Sequence, residues 1–244
     1  MRVLRVCREG REPRDLDMTD VEWEALRLSL SVAGRSVLFS LPFAVLIAWL
    51  LTRRRFVGRT VLDAFVHLPL VLPPVVVGYL LLVLFGRRGP IGGWLDREFD
   101  VQLVFTTAGA ALATAVMSFP LMVRSIRISL DTVDRRLEEA ARTLGAGPLD
   151  RFVSVTLPLM LPGVLAGTVT AFAAGLGQFG AVITFVSNIP GETRTLPLAL
   201  YSAIQTPGGD AVAARLALIS FLLGLSGLML AEGLSRQLRR YLGH

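Results

Sequence analysis

His67 and His244 are the two histidines of the chain, Cys7 is its one cysteine, and all 25 of its basic residues are arginine. That inventory excludes most side-chain chemistry. One thiol cannot close an internal bridge, and no Cys, His or carboxylate cluster has ligand spacing, so no metal is assigned. His67 reads as a packed helix residue rather than a ligand. Without lysine there is neither a P-loop phosphate clamp nor a Schiff-base nucleophile, and ATP hydrolysis by the usual route falls outside this polypeptide. Gly175-x-Gly177-x-x-Gly180 spells a dinucleotide fingerprint, yet it follows an apolar helix and lacks the preceding strand. No catalytic residue is assigned, and an intramembrane enzyme is disfavoured.

The informative spacing lies in residues 124–156. Asp131 or Thr132 can cap a helix in which Leu137, Ala140, Ala141 and Leu144 form one stripe, with Gly145 or Gly147 at its left-handed C-terminal position. Ala140 and Ala141 leave a low surface that a groove of another protein could cover closely. Arg135, Glu138, Glu139 and Arg142 supply polar edges. The competing reading is a solvated surface helix held by charge pairs three and four residues apart.

The elements around this loop are those of a membrane protein. Of 244 residues, 53% are apolar and only 18% charged, with a mean hydropathy of +0.60. A spanning helix needs ~20 mostly apolar residues, and five spans are expected, at about 28–52, 62–86, 102–123, 157–178 and 211–233. Residues 152–191 carry no formal charge over 40 positions. As one straight helix they would run ~60 Å, twice a hydrocarbon core. A break is therefore expected at Gly175, Gly177 and Gly180, after which AVITFV packs back into the protein.

Arginine bias orients the spans. Residues 53–59, 124–151 and 236–240 hold 4, 6 and 3 arginines, against Arg87, Arg88, Arg97 and Arg194 in the opposite loops. The positive-inside rule places the first set in the cytoplasm, so a five-span chain has its N-terminus outside and its C-terminus inside. The net charge of +6 is explained by these loops, and nucleic-acid binding is not assigned. Residues 1–17 carry five arginines, conflict with that orientation and lack a signal-peptide core. They read as an extension dispensable to a transmembrane domain over residues 18–240.

Polar and helix-breaking residues at membrane depth mark a candidate path. Pro73 and Pro74 free backbone carbonyls inside the second span, either as a plain kink or along a water-lined route. Ser118, Gln178 and Asn188 could line that route or make packing hydrogen bonds. Gly163 and Gly167 allow close helix approach, within the chain or between copies. Residues 195–209 read as a short apolar helix with Thr195 as cap and Pro197 in its first turn, either an outer hairpin or lid or a simple periplasmic loop. Arg194 could draw in an anion, or be held by Glu192 or solvent.

One pattern ties these segments together. Glu139-Ala140-Ala141, Gly145, Val155 and Leu157-Pro158 resemble the EAA loop of ABC-importer permeases, with Val155 where that loop often has isoleucine. HLPLVLPPVVVGYLLLVLFGRRGPIG from His67, VMSFPLMVRSIR from Val116 and the segment from Gly177 to Asp210 are similar to molybdate-transporter permeases. Sulfate and thiosulfate permeases are the nearest relatives in pattern. One position departs, since Gln178 stands where the family usually has glutamate.

The resemblance implies an all-α type I ABC importer transmembrane domain in the bacterial inner membrane, working as a homodimer. It implies two cytoplasmic ATP-binding subunits, which bind ATP and magnesium so that this chain carries no cofactor, and a periplasmic oxyanion-binding protein. Glu139, Ala140, Ala141, Gly145, Leu157 and Pro158 would couple to the ATPase. Pro73, Pro74, Ser118, Gln178, Asn188 and Arg194 are the path candidates. The cargo expected is molybdate, with tungstate or sulfate/thiosulfate as alternatives, and a gradient-driven transporter is disfavoured because no intramembrane ionisable pair is evident.

Overall fold

The computed structural model describes residues 19–54 and 56–241; the N-terminal extension assigned to residues 1–17 lies outside them. The described elements are α1 (Asp20–Arg53), α2 (Arg59–Val71), α3 (Pro74–Phe85), α4 (Gly92–Phe99), α5 (Thr107–Thr132), α6 (Arg135–Thr143) and α7 (Pro148–Arg151). A π-turn (Phe152–Thr156) leads into α8 (Leu157–Leu176), followed by α9 (Gly180–Val186), α10 (Leu196–Gln205) and α11 (Asp210–Tyr241). No strand occurs among the described residues.

Capping places the starts of the long helices. Thr19 and Glu22 form a reciprocal capping box, with Thr19 N–H donating to Glu22 Oε2 at 2.7 Å. α1 therefore starts well before residue 28. Thr106 Oγ1 accepts from Gly109 N–H at 3.1 Å, so α5 begins at Thr107 rather than 102. Buried Ile126 and Leu130 carry α5 past Arg124 and Arg127 to Thr132. Asp131 and Thr132 are consequently the last turn of α5, and the cap of α6 falls on Asp134, whose carboxylate accepts from Arg136 N–H at 2.9 Å.

The segment expected as one span at 62–86 is two helices, bent by 116° between Val71 and Pro74. Pro74 has no N–H to give and disfavours helical geometry at the residue before it, which leaves Pro73 extended at ψ 134°. The uncharged stretch 152–191 breaks after Leu176, and α9 turns back with Ala181, Val182, Phe185 and Val186 buried. Four described helices or helical runs, α1, α5, α7 through α8, and α11, are long and apolar enough to cross a bilayer; the bent pair α2–α3 makes a fifth if counted as one.

Small residues set how closely the bundle packs. A Cβ on Gly167 would stand 3.1 Å from the Met122 carbonyl of α5, and one on Gly163 would collide with Ser129. The Gly163-x-x-x-Gly167 face is thus spent inside the chain, where Ser125 Oγ also donates to the Gly163 carbonyl at 3.1 Å. One core joins Ala44, Ala48 and Leu51 of α1 to Ile126 of α5 and Met160 of α8. A second joins Val77 and Leu81 of α3 to Ala113 of α5 and Phe185 of α9. A smaller one ties Ala25 of α1 to Leu196 of α10 and Leu216 of α11.

Candidate functional site

The helix α6 is stopped by Gly145, which adopts φ +89°, while Gly147 stays at −67°. Ala146 N–H closes the end on the Ala141 carbonyl at 3.0 Å. On a surface helix the apolar stripe ordinarily faces the core. Here it faces outward: Leu137 is 48% and Leu144 88% exposed, and Leu149 and Val153 beside them are 75% and 51% exposed. Glu139 and Ala140 are exposed, and Ala141 is half-buried. A cleft of ≈ 450 Å³ opens beside them, lined by Ala141, Leu144, Gly145, Arg151 and Val155 among others. Leu157 and Pro158 follow in the first turn of α8, half-buried and exposed respectively.

The polar side of α6 faces its own bundle. Glu138 Oε1 lies 3.1 Å from Arg53 Nη2 at the end of α1 and accepts from Thr156 Oγ1 at 3.0 Å. The same Arg53 nitrogen donates to the Val133 carbonyl at 3.1 Å, and Arg135 reaches the Thr52 carbonyl at 3.4 Å. Arg53 and Thr156 were not legible as partners of Glu138 from the sequence. They stand 85 residues before it and 18 after it, distances at which no local spacing rule applies.

The path candidates divide into three places. Pro73 and Pro74 lie at the break before α3, and Gln178 lies at the break before α9. These two breaks meet, because a Cβ on Gly180 would stand 2.9 Å from Pro74 Cβ and one on Gly78 would stand 2.6 Å from the Ala181 carbonyl. Gln178 is half-buried, and its neighbour Phe179 packs on Tyr201 of α10 with ring centroids 5.2 Å apart and planes tilted by 53°. Ser118 sits elsewhere, 2% exposed inside the protomer, with its hydroxyl donating to the Thr114 carbonyl at 2.9 Å.

Asn188 and Arg194 form the third place. Arg194 Nε donates to Asn188 Oδ1 at 3.1 Å, and Asn188 Nδ2 donates to Ser202 Oγ at 2.7 Å. The holder of Arg194 is therefore Asn188 rather than Glu192. The turn between them is fixed by Thr193, which accepts from Ile189 N–H at 2.9 Å and donates to the Ser187 carbonyl at 3.1 Å. Ser187 takes a positive φ of +64° with ψ −162°, a region rarely entered by residues other than glycine. Thr195 precedes α10 as its cap residue, but the Leu196 N–H is taken by Ser29 of α1 at 2.7 Å.

His67 lies 2.9 Å from the Asp63 carbonyl through Nδ1, and the Asp63 carboxylate pairs with Arg127 of α5, so this cluster joins α2 to α5. No group of three or more His, Cys, Asp or Glu residues is placed to hold a metal ion among the described residues.

Comparison with known proteins agrees with this geometry. The family described as binding-protein-dependent transport system inner membrane component matches residues 40–240. The chain is 59% identical over 226 residues to the molybdenum transport system permease protein ModB of Escherichia coli K12, covering 93% of this chain and 99% of that one. It is 55% identical to the Haemophilus influenzae protein of the same name, covering 91% and 97%. The E. coli sulfate transport system permease protein CysT is 39% identical, covering 90% and 79%. Among solved structures, a bacterial alginate ABC transporter in complex with its periplasmic protein superposes with a TM-score of 0.71 at 17% identity, covering 90% of this chain and 80% of that one. An amino acid ABC transporter follows at a TM-score of 0.60 and 18% identity, covering 89% and 94%. These likenesses give the fold, a type I ABC importer transmembrane domain. The chain belongs to the family of binding-protein-dependent transport system inner membrane components.

Proposed function

We propose that the chain is the membrane subunit of an ATP-driven importer for molybdate, paired with a second copy of itself, two cytoplasmic ATP-binding subunits and a periplasmic binding protein. The observation that carries the reading is the polarity of α6. Leu137 and Leu144 face away from the bundle while Glu138 faces into it, an arrangement that leaves an apolar face in water unless another protein covers it. The relatives named as molybdenum permeases are 59% and 55% identical, whereas the sulfate relative is 39% identical, which favours molybdate over sulfate as cargo.

The arginine-rich ends support a cytoplasmic α6 and an outer Asn188–Arg194 turn. ATP-driven closure of the paired ATPases moves α6 as a rigid body and shifts the bundle between inward and outward access. This chain supplies the conduit and the lever; the energy comes from nucleotide binding in the partner. Arg194, held by Asn188, draws the incoming dianion toward the path, and the facing breaks at Pro74 and Gln178 give the path its depth. Tight binding inside the conduit would slow release, so selectivity rests with the binding protein.

Co-purification with the candidate ATPase and binding protein, followed by ATPase assay with the binding protein loaded with molybdate, tungstate or sulfate, tests the reading. Stimulation by the molybdate-loaded protein above the sulfate-loaded one is expected. Absence of ATPase association would remove the importer reading, and stimulation by sulfate alone would move the cargo.

A further inference from the structure

We infer that Glu138 is the positioning residue that ties the docking helix to the bundle, through Arg53 to α1 and through Thr156 to the start of α8, so that α1 carries the motion of α6 to the opposite end. The inference rests on the reading of α6 as the ATPase-docking helix and adds the element that the lever pulls.

A helix that moves with a partner must be held on both sides. The outward leucines serve the partner, and the Glu139 side chain beside them makes no hydrogen bond or ion pair among the described residues. The inward side is held by Glu138. One of its oxygens receives both Arg53 Nη2 at 3.1 Å and Thr156 Oγ1 at 3.0 Å. The Arg53 side chain is 8% exposed and its Nε has no partner among the described residues. Removing the carboxylate would leave a largely desolvated cation with the Val133 carbonyl as its one remaining partner among the described residues, so the pair holds its geometry through a shift of α6. Thr156 closes the π-turn between α7 and α8, a local winding change of the kind that recurs at functional positions.

α1 is suited to transmit. It is one helix over 34 residues, ~51 Å at the α-helical rise, with Pro42 inside it removing a single backbone donor. At its other end Glu22, 0% exposed, pairs with Arg215 of α11 at 2.9 Å, and Ser29 Oγ accepts from Leu196 N–H of α10 at 2.7 Å. One rod is thus polar-bonded to the docking helix at one end and to the α10 hairpin and α11 at the other. Packing alone could slide at these points, whereas directed bonds between charged groups resist sliding.

The test uses the assembled transporter with its ATPase and binding protein in liposomes. Glu138→Gln, Glu138→Ala, Arg53→Gln and the exchanged pair Arg53→Glu with Glu138→Arg are compared for ATPase association, thermal midpoint and molybdate moved per ATP hydrolysed. The single variants are expected to keep the ATPase bound while molybdate per ATP falls about fivefold or more. The exchanged pair is expected to recover at least half of that loss. A wild-type ratio in Glu138→Ala and Arg53→Gln would overturn the inference. So would loss of ATPase binding in Glu138→Gln, which would place Glu138 in the docking face, or an exchanged pair no better than Glu138→Ala or Arg53→Gln. Failure of the wild-type chain to bind any ATPase would instead remove the docking reading, and the control separates the two.

Discussion

Pro74 of α3 abuts Gly180 of α9, so that a Cβ on the glycine would stand 2.9 Å from the proline Cβ. Two breaks in apolar helices therefore meet face to face, and Gly78 continues the contact against the Ala181 carbonyl. Gly78→Val is expected to force α3 from α9 at a cost of about 1–3 kcal/mol. Thermal unfolding in detergent reads this, with Gly224→Val as control because nothing lies within 4 Å of a Cβ there. Equal midpoints in the two variants would contradict the contact.

The stop of α6 predicts an asymmetry between two glycines. Gly145 sits at φ +89° and Gly147 at −67°, both with open space around a Cβ. Gly145→Val is expected to destabilise the helix end by about 1–2 kcal/mol and to reduce uptake. Gly147→Ala is expected to transport normally. Uptake measured in cells distinguishes them, and an equal effect at both positions would argue against a conformational role for Gly145.

The outward face of α6 gives a separable prediction. Leu144 is 88% exposed, so Leu144→Asp should leave the stability of the isolated permease within about 0.5 kcal/mol of wild type. The same change should abolish co-purification with the ATPase, and Glu139→Lys should weaken it. Retained association in both variants would sink the docking assignment.

Arg194 gives a salt-dependent prediction. If the guanidinium steers an anion, Arg194→Gln lowers the uptake rate more at 0.01 M than at 1 M ionic strength, where the screening length falls from ~30 to ~3 Å. Initial uptake rates across a salt series measure this. A salt-independent loss would assign Arg194 to holding the Asn188 turn instead.

Glu22 and Arg215 predict a stability effect. Glu22 is buried with the Arg215 guanidinium 2.9 Å away. Glu22→Ala should lower stability on the order of 2 kcal/mol, by leaving Arg215, 31% exposed, without its counterion and by removing the capping-box bond to Thr19. Adding Arg215→Ala should restore part of it, and a double variant no more stable than the single would show that the pair is not coupled.

What the sequence determined by itself follows from local rules. Hydropathy over ~20 residues marks a span, a run of 40 uncharged residues must break, and Gly145 or Gly147 must stop a helix because only glycine tolerates the left-handed position at no steric cost, the structure choosing Gly145. The Gly175 to Gly180 break and the re-entry of AVITFV were readable on those grounds, and the EAA pattern marks the segment proposed to dock.

Tertiary structure decided what depends on distance through space. The Pro73-Pro74 pair signals a bend, but its 116° angle comes from packing α3 on α9. Gly163 and Gly167 offered a face to either the chain or a copy, and only the position of α5 assigned it. Glu138 and Glu139 are adjacent and chemically identical, yet one turns inward to Arg53 and the other outward. The choice rests on which side of a helix meets the bundle, and that is set by residues up to 85 positions away.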